Sequence, residues 1–406
     1  MDQLHPDERA KEQNNKIQNV SVEQDHEFQR SLNQKTGNQN QMQLKEGSNP
    51  MDVNQMKANP MSSNSMNANP INANPMYSNP MRPYPYYNYN RQSGSSIMQY
   101  NPEINDFNQI GLKPKSILSW SFFSLFLLAV VVLGISNLIA VVVSLTQPAL
   151  ADTNWYSWVV TFISIVLFGL PVFYLLMKRL PDSPKGPVQR LKISTFIVIF
   201  FICAAAMYIT NLFSVLIVYL LSILKGQEII NPINEVMLNG NFILTIIYAA
   251  FIAPVVEELI FRSILLNKLR RFGDLPAILL SGLAFGCFHF NLSQFFYATV
   301  LGCIFAYVTI RTNTIKYAII LHVMINFIAS AITPLVSGGN IFAALALSAW
   351  VFSAIIIGIL FLVLSLKKIR LEKGDKVLEG YSYFLNAGVI LYTAISLAMI
   401  IISIVI

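Results

Sequence analysis

Between Ala253 and Leu266 the sequence reads APVVEELIFRSILL, and Glu257, Glu258 and Arg262 stand in a stretch otherwise apolar enough to cross a bilayer. Charge at that depth is costly, and side chains retained there line a cavity, pair with one another or do chemistry. These are the only acidic or basic residues well inside the apolar segments. Two of the four histidines, His289 and His322, also fall within such segments, whereas His5 and His26 lie in a polar N-terminal stretch. Carboxylates and imidazoles held together away from water are groups suited to general acid–base work.

Helical spacing brings these groups into pairs. Glu258 and Arg262 are four residues apart, share a helix face and can form an ion pair with the acid in the favourable N-terminal position. Glu257 is rotated by about 100° from its neighbour and is left without a local partner. His322 and Asn326, in LHVMINF, are again four apart, which sets an imidazole beside a carboxamide. Phe285 and His289, in FGCFH, have the same spacing, so a ring can fix the histidine's orientation. Counted from the basic ends of their segments at about 1.5 Å per residue, Glu257, His289, His322 and Asn326 lie roughly 10 to 20 Å deep, compatible with one shared cavity.

The elements that must position these residues are membrane helices. Of 406 residues 54% are hydrophobic and 12% charged, and the mean hydropathy is +0.51, outside the range of soluble globular chains. Nine apolar runs are read at 117–146, 155–177, 193–224, 242–267, 275–290, 292–310, 315–333, 341–366 and 384–406, an all-α polytopic bundle. The fifth and sixth are the short ones. Basic residues gather in alternate connections: Lys113 and Lys115, Lys178 to Lys192, Lys268 to Arg271, Arg311 and Lys316, Lys367 to Lys376. That alternation predicts a cytoplasmic N-terminus, an external C-terminus and nine spans. Residues 1–115 carry 11 acids and 11 bases, so the net charge of +7 belongs to residues 116–406. Lying in short loops, it marks topology and does not call for a nucleic-acid partner.

The first 115 residues form a separate region. Asn-Pro recurs at Asn49, Asn59, Asn69, Asn74 and Asn79, in a stretch too polar and proline-rich to pack. Disorder is expected there, with the tail either a tether or, through MRPYPYYNYNR, a surface that recruits a protein partner. Met1 to Pro50 lacks the apolar core of a signal peptide, so the tail is expected to remain in the cytoplasm. Cys203, Cys287 and Cys303 all sit in apolar runs and are read as packing residues.

Read together, EELIFR at Glu257–Arg262, FGCFH at Phe285–His289 and HVMIN at His322–Asn326 follow the patterns EExxxR, FxxxH and HxxxN in order. In this the sequence resembles the CPBP intramembrane proteases, also called the Abi or CAAX protease family, over about residues 240–335. The resemblance implies an endopeptidase acting on membrane-embedded or membrane-associated proteins or peptides, of CAAX or bacteriocin type. In it Glu257 activates a water with help from His289, His322 and Asn326 stabilise the oxyanion, and Glu258 and Arg262 support the site. Glu257, His289 and His322 would also make a zinc donor set with one open position. No HExxH is present, and the metal-free mechanism is preferred to zinc. Two other readings stand beside the protease: a non-catalytic immunity or scaffold protein, and a proton-coupled transporter built on the same ionisable groups.

Overall fold

The computed structural model describes residues 111–183, 185–231, 240–337, 339–372 and 380–405, the side chains of 332–335, 337 and 381 excepted. The repeat-bearing tail expected to be disordered lies outside the described residues up to residue 110. Among the described residues the chain is helical without strands. Nine long helices follow the nine apolar runs: α1 (Pro114–Thr146), α2 (Tyr156–Met177), α3 (Ile193–Lys225), α4 (Phe242–Phe272), α5 (Asp274–Phe288), α6 (Leu292–Thr312), α7 (Lys316–Ser337), α8 (Ile341–Ser365) and α9 (Ala387–Val405). Seven are long and apolar enough to cross a bilayer, and α5 and the Lys316–Ala331 part of α7 are shorter apolar helices. The chain is thus a multi-pass membrane protein.

The expectation of two short central helices holds for α5 and not for α6. Helix α5 has 15 residues, α6 has 21. Gly273, at a φ of 95° that L side chains rarely adopt, turns the chain into α5. At its other end Phe290 takes a φ of 55°, and Asn291 caps α6 by accepting the Gln294 amide. The two helices return on each other with their backbones close. Gly282 and Gly286 are the reason: a Cβ on the first would lie 2.9 Å from the Cys303 amide nitrogen, and one on the second 2.8 Å from the Phe295 carbonyl oxygen. Small residues four apart let two helices meet at this distance.

Two of the helices contain wide, π-helical turns placed by proline. In α4 the turn Ile246–Ile252 ends two residues before Pro254; in α2 the turn Ile163–Gly169 ends two residues before Pro171. A proline ring collides with the carbonyl four residues back and offers no N–H, so a looser turn ahead of it relieves the clash. A second wide turn in α4, Leu259–Leu265, contains no proline and begins directly after Glu258. There Ser281 on α5 donates its hydroxyl to the Phe261 carbonyl at 3.2 Å.

Two apolar clusters meet around α6. One joins α1, α2, α4, α5 and α9 through Leu125, Phe173, Phe261, Phe285 and Tyr392. The other joins α3, α6, α7 and α8 through Phe200, Phe305, Leu321 and Ala354. The basic connections collect at one end of the bundle, as their alternation requires. There Lys268 donates to the Leu180 carbonyl at 2.6 Å and pairs with Asp182, Arg271 donates to the Pro181 carbonyl at 2.7 Å, and Arg311 pairs with Asp274 and, at 3.2 Å, with Glu372. Lys268 and Arg271 are buried. Beyond marking topology, these two bond carbonyls in the connection that follows α2. Gly286→Val should overpack the α5–α6 contact by about 1–3 kcal/mol, read as a lowered unfolding temperature of the protein in detergent.

Candidate active site

Helix α4 carries two adjacent carboxylates, and the turn geometry sends them to different surroundings. Glu258 is fully buried. Arg262 Nη1 lies 3.2 Å from Glu258 Oε1, with both side chains shielded from solvent. The guanidinium also donates from Nη2 to the Gly302 carbonyl of α6 at 3.2 Å and lies over the Phe285 ring, 4.4 Å from its centroid. Phe261 and Phe305 stand on its other sides. Such faces attract a cation where water is excluded. Glycine at 302 keeps this space open, since a Cβ there would come within 3.2 Å of Arg262 Nη2 and 3.1 Å of the Phe285 ring.

His322, on α7, completes the buried layer. Its Nδ1 is 3.0 Å from the same Glu258 Oε1. A carboxylate oxygen that faces a guanidinium serves as an acceptor, so Nδ1 is the donor in this contact. Phe285 meets the imidazole edge-on at 5.7 Å and Phe305 lies 5.1 Å away, so the ring is fixed on both sides. The other nitrogen, Nε2, faces Glu257 Oε2 at 3.6 Å, longer than a hydrogen bond. The sequence left Glu257 without a local partner; its neighbour is this imidazole from a helix 65 residues away. The Glu257 side chain is 17% exposed, against none for Glu258.

His289 closes α5. Its Nδ1 donates to the Phe285 carbonyl at 2.9 Å and its ring stands edge-on to the Phe285 ring at 4.9 Å. Phe285 thus orients His289 through both ring and carbonyl, and in the neutral form of either histidine Nε2 carries a lone pair. Glu257 and His322 act on His289 electrostatically, which places it in the same cluster without a direct bond to either.

Asn326 is held by a consequence of Pro254. In the wide turn the Ala253 amide bonds the Tyr248 carbonyl, so the next carbonyl in that pattern, Ala249, would require an N–H from residue 254, which proline lacks. Asn326 Nδ2 donates to that carbonyl at 3.0 Å. One of its two N–H groups is therefore engaged, and the second remains. His322 and Asn326 are neighbours on α7 but are drawn to different atoms of α4.

Tyr248 and Tyr297 also lie within electrostatic reach of Glu257. They do not stand out in the sequence when the reading starts from charged groups and histidines and their neighbours at helical spacing. Tyr297 ends a polar chain in which Asn291 donates to the His289 carbonyl at 2.8 Å and to Gln294 Oε1 at 2.6 Å, and Gln294 donates to the Tyr297 hydroxyl at 2.9 Å. The three-residue spacing of Asn291, Gln294 and Tyr297 at the start of an apolar helix was the available signal.

Glu257, His289 and His322 have the donor chemistry of a zinc site. Among the described residues no three His, Cys, Asp or Glu side chains are grouped to hold a metal. The buried and exposed carboxylates should separate in stability. Glu258→Gln strands the Arg262 charge and should cost about 3–5 kcal/mol, while Glu257→Gln should stay within about 0.5 kcal/mol of the parent protein, both read from denaturant unfolding in micelles.

Residues 239–328 match the family model described as Type II CAAX prenyl endopeptidase Rce1-like. The chain is also similar to "Putative membrane peptidase YdiL" of Bacillus subtilis (strain 168), 34% identical over 84 residues, which is 20% of this chain and 34% of that protein. The chain thus spans about a third of the length of this curated relative. No solved structure matches the chain significantly. The matched segment includes α4, α5, α6 and the part of α7 that holds His322 and Asn326, so the similarity to Rce1-like proteins, consistent with the CPBP family, falls on the helices that carry the site.

Proposed function

We propose that the protein is an intramembrane endopeptidase in which Glu257 activates water to hydrolyse peptide bonds of membrane-associated proteins or peptides. The observation that supports this most is the division of labour between the carboxylates. One is buried and paired with Arg262; the other is partly exposed, faces His322 at 3.6 Å and lies within electrostatic reach of His289, and each histidine is bonded through Nδ1 so that Nε2 is left to act.

A site built of acceptors holds a water by its hydrogens. A water donating to Glu257 and to His289 Nε2 turns a lone pair toward the substrate carbonyl. Glu257 takes the proton as the O–C bond forms and the carbonyl π electrons move to oxygen. The second N–H of Asn326 donates to that oxyanion; His322 joins it when protonated, because its Nδ1–H is already given to Glu258 and only a second proton puts an N–H at Nε2. Glu257 then returns the proton to the amide nitrogen as the C–N bond breaks, releasing a carboxylic acid and an amine. Glu258 and Arg262 hold His322 in one tautomer and touch no reacting atom. The metal-free route is kept as the reading because the sequence has no HExxH and the same residues can activate water without an ion, and the CAAX description of the matched family makes lipid-anchored chains the first substrates to try.

Glu257→Gln should lower turnover by about 10²–10⁴, the usual contribution of a general base, with folding unchanged. Comparing membrane proteomes of cells bearing the parent protein or this variant should reveal uncleaved substrates; identical proteomes with both proteins would remove the protease reading. Activity should survive exhaustive chelation, whereas loss on chelation with rescue by zinc would reverse the metal-free assignment.

A further inference from the structure

A cavity of about 970 Å³ lies outside the candidate active site, bounded by α3, α5, α6 and the end of α8. Its walls are apolar, with Val198 and Ile202 from α3, Ile278 from α5, Ile304 from α6 and Leu362 from α8. The volume is at the upper end of the roughly 300–1,000 Å³ of small-molecule pockets, and such walls offer nothing to a small ion. Its mouth is different. Lys368 and Arg370 stand there exposed. The acid at the mouth, Glu372, is engaged by Arg311.

Depth identifies the ligand class. Along α6 the lining runs from Arg311, at the basic end of the bundle, to Cys303. Eight residues at 1.5 Å each make about 12 Å. That is close to half the roughly 30 Å hydrocarbon core of a bilayer. An apolar slot one leaflet deep, opening under cations at the level of the headgroups, matches the dimensions and charge of a lipid lying parallel to the helices.

We propose that this groove binds one anionic phospholipid from the leaflet at the basic end of the bundle, its acyl chain along α3 and α6 and its headgroup at Lys368 and Arg370. The site is separate from Glu257 and does not depend on the hydrolytic reading. Bound there, the lipid would fill the space between the α3–α8 pair and the α5–α6 hairpin.

Native mass spectrometry of the full chain, exchanged from detergent into nanodiscs of phosphatidylglycerol or phosphatidylcholine, tests this directly. One phosphatidylglycerol should be retained in preference to phosphatidylcholine and should raise the unfolding temperature. At about 1 kcal/mol per basic residue near an anionic surface, Lys368→Ala with Arg370→Ala should weaken the preference by about thirtyfold. Leu362→Trp, which fills the slot and leaves the rim intact, should abolish retention of either lipid. Equal retention of the two lipids, or a preference unchanged by both variants, would show annular lipid only and overturn the proposal, as would displacement of the lipid by inorganic phosphate.

Discussion

The ion pair of Glu258 and Arg262 is the constraint around which the centre of the bundle is organised. Removing two charges from water costs several kcal/mol each even after relaxation, and attraction between them offsets this only when the remaining polar atoms are also met. Here three neighbouring helices do so in part, and among the described residues Glu258 Oε2 and Arg262 Nε remain buried without a hydrogen-bond partner. The Gly302 carbonyl takes one guanidinium nitrogen, the Phe285 ring covers its face, and His322 gives the shared carboxylate oxygen a second donor. Glycines at 282, 286 and 302 bring α5 and α6 close enough for those contacts.

From that anchor the reactive geometry follows by short steps. Glu258 fixes the proton of His322 on Nδ1, and this points Nε2 at Glu257. The neighbouring carboxylate lies on another face of the same helix, so it keeps partial exposure while its twin is sealed away. Phe285 links the two imidazoles, touching both rings and holding the Nδ1 of His289 through its carbonyl. A single aromatic residue thus joins the cation, both histidines and the wall of the apolar core.

Proline contributes by what it lacks. The missing N–H of Pro254 leaves the Ala249 carbonyl without a helical partner, and a carbonyl in a bilayer interior must find one. Asn326 supplies it, which docks α7 on the first wide turn of α4 and sets the remaining amide hydrogen. Loosened turns in a helix are frequent at functional positions because they aim side chains and expose carbonyls without ending the helix.

The nine helices, the Glu258–Arg262 pair and the orientation of His289 by Phe285 were legible in the sequence, because hydropathy and four-residue spacing depend only on neighbours along one chain segment. The burial of Lys268 and Arg271, the full length of α6 and the tyrosines near Glu257 were not, since each depends on what another segment brings alongside. The sequence also set His322 beside Asn326 correctly as a matter of spacing. Only the tertiary structure decided that the first turns to Glu258 and the second to Ala249. Helical periodicity specifies which side chains share a face, but the atom each one bonds is chosen by the helix packed against it.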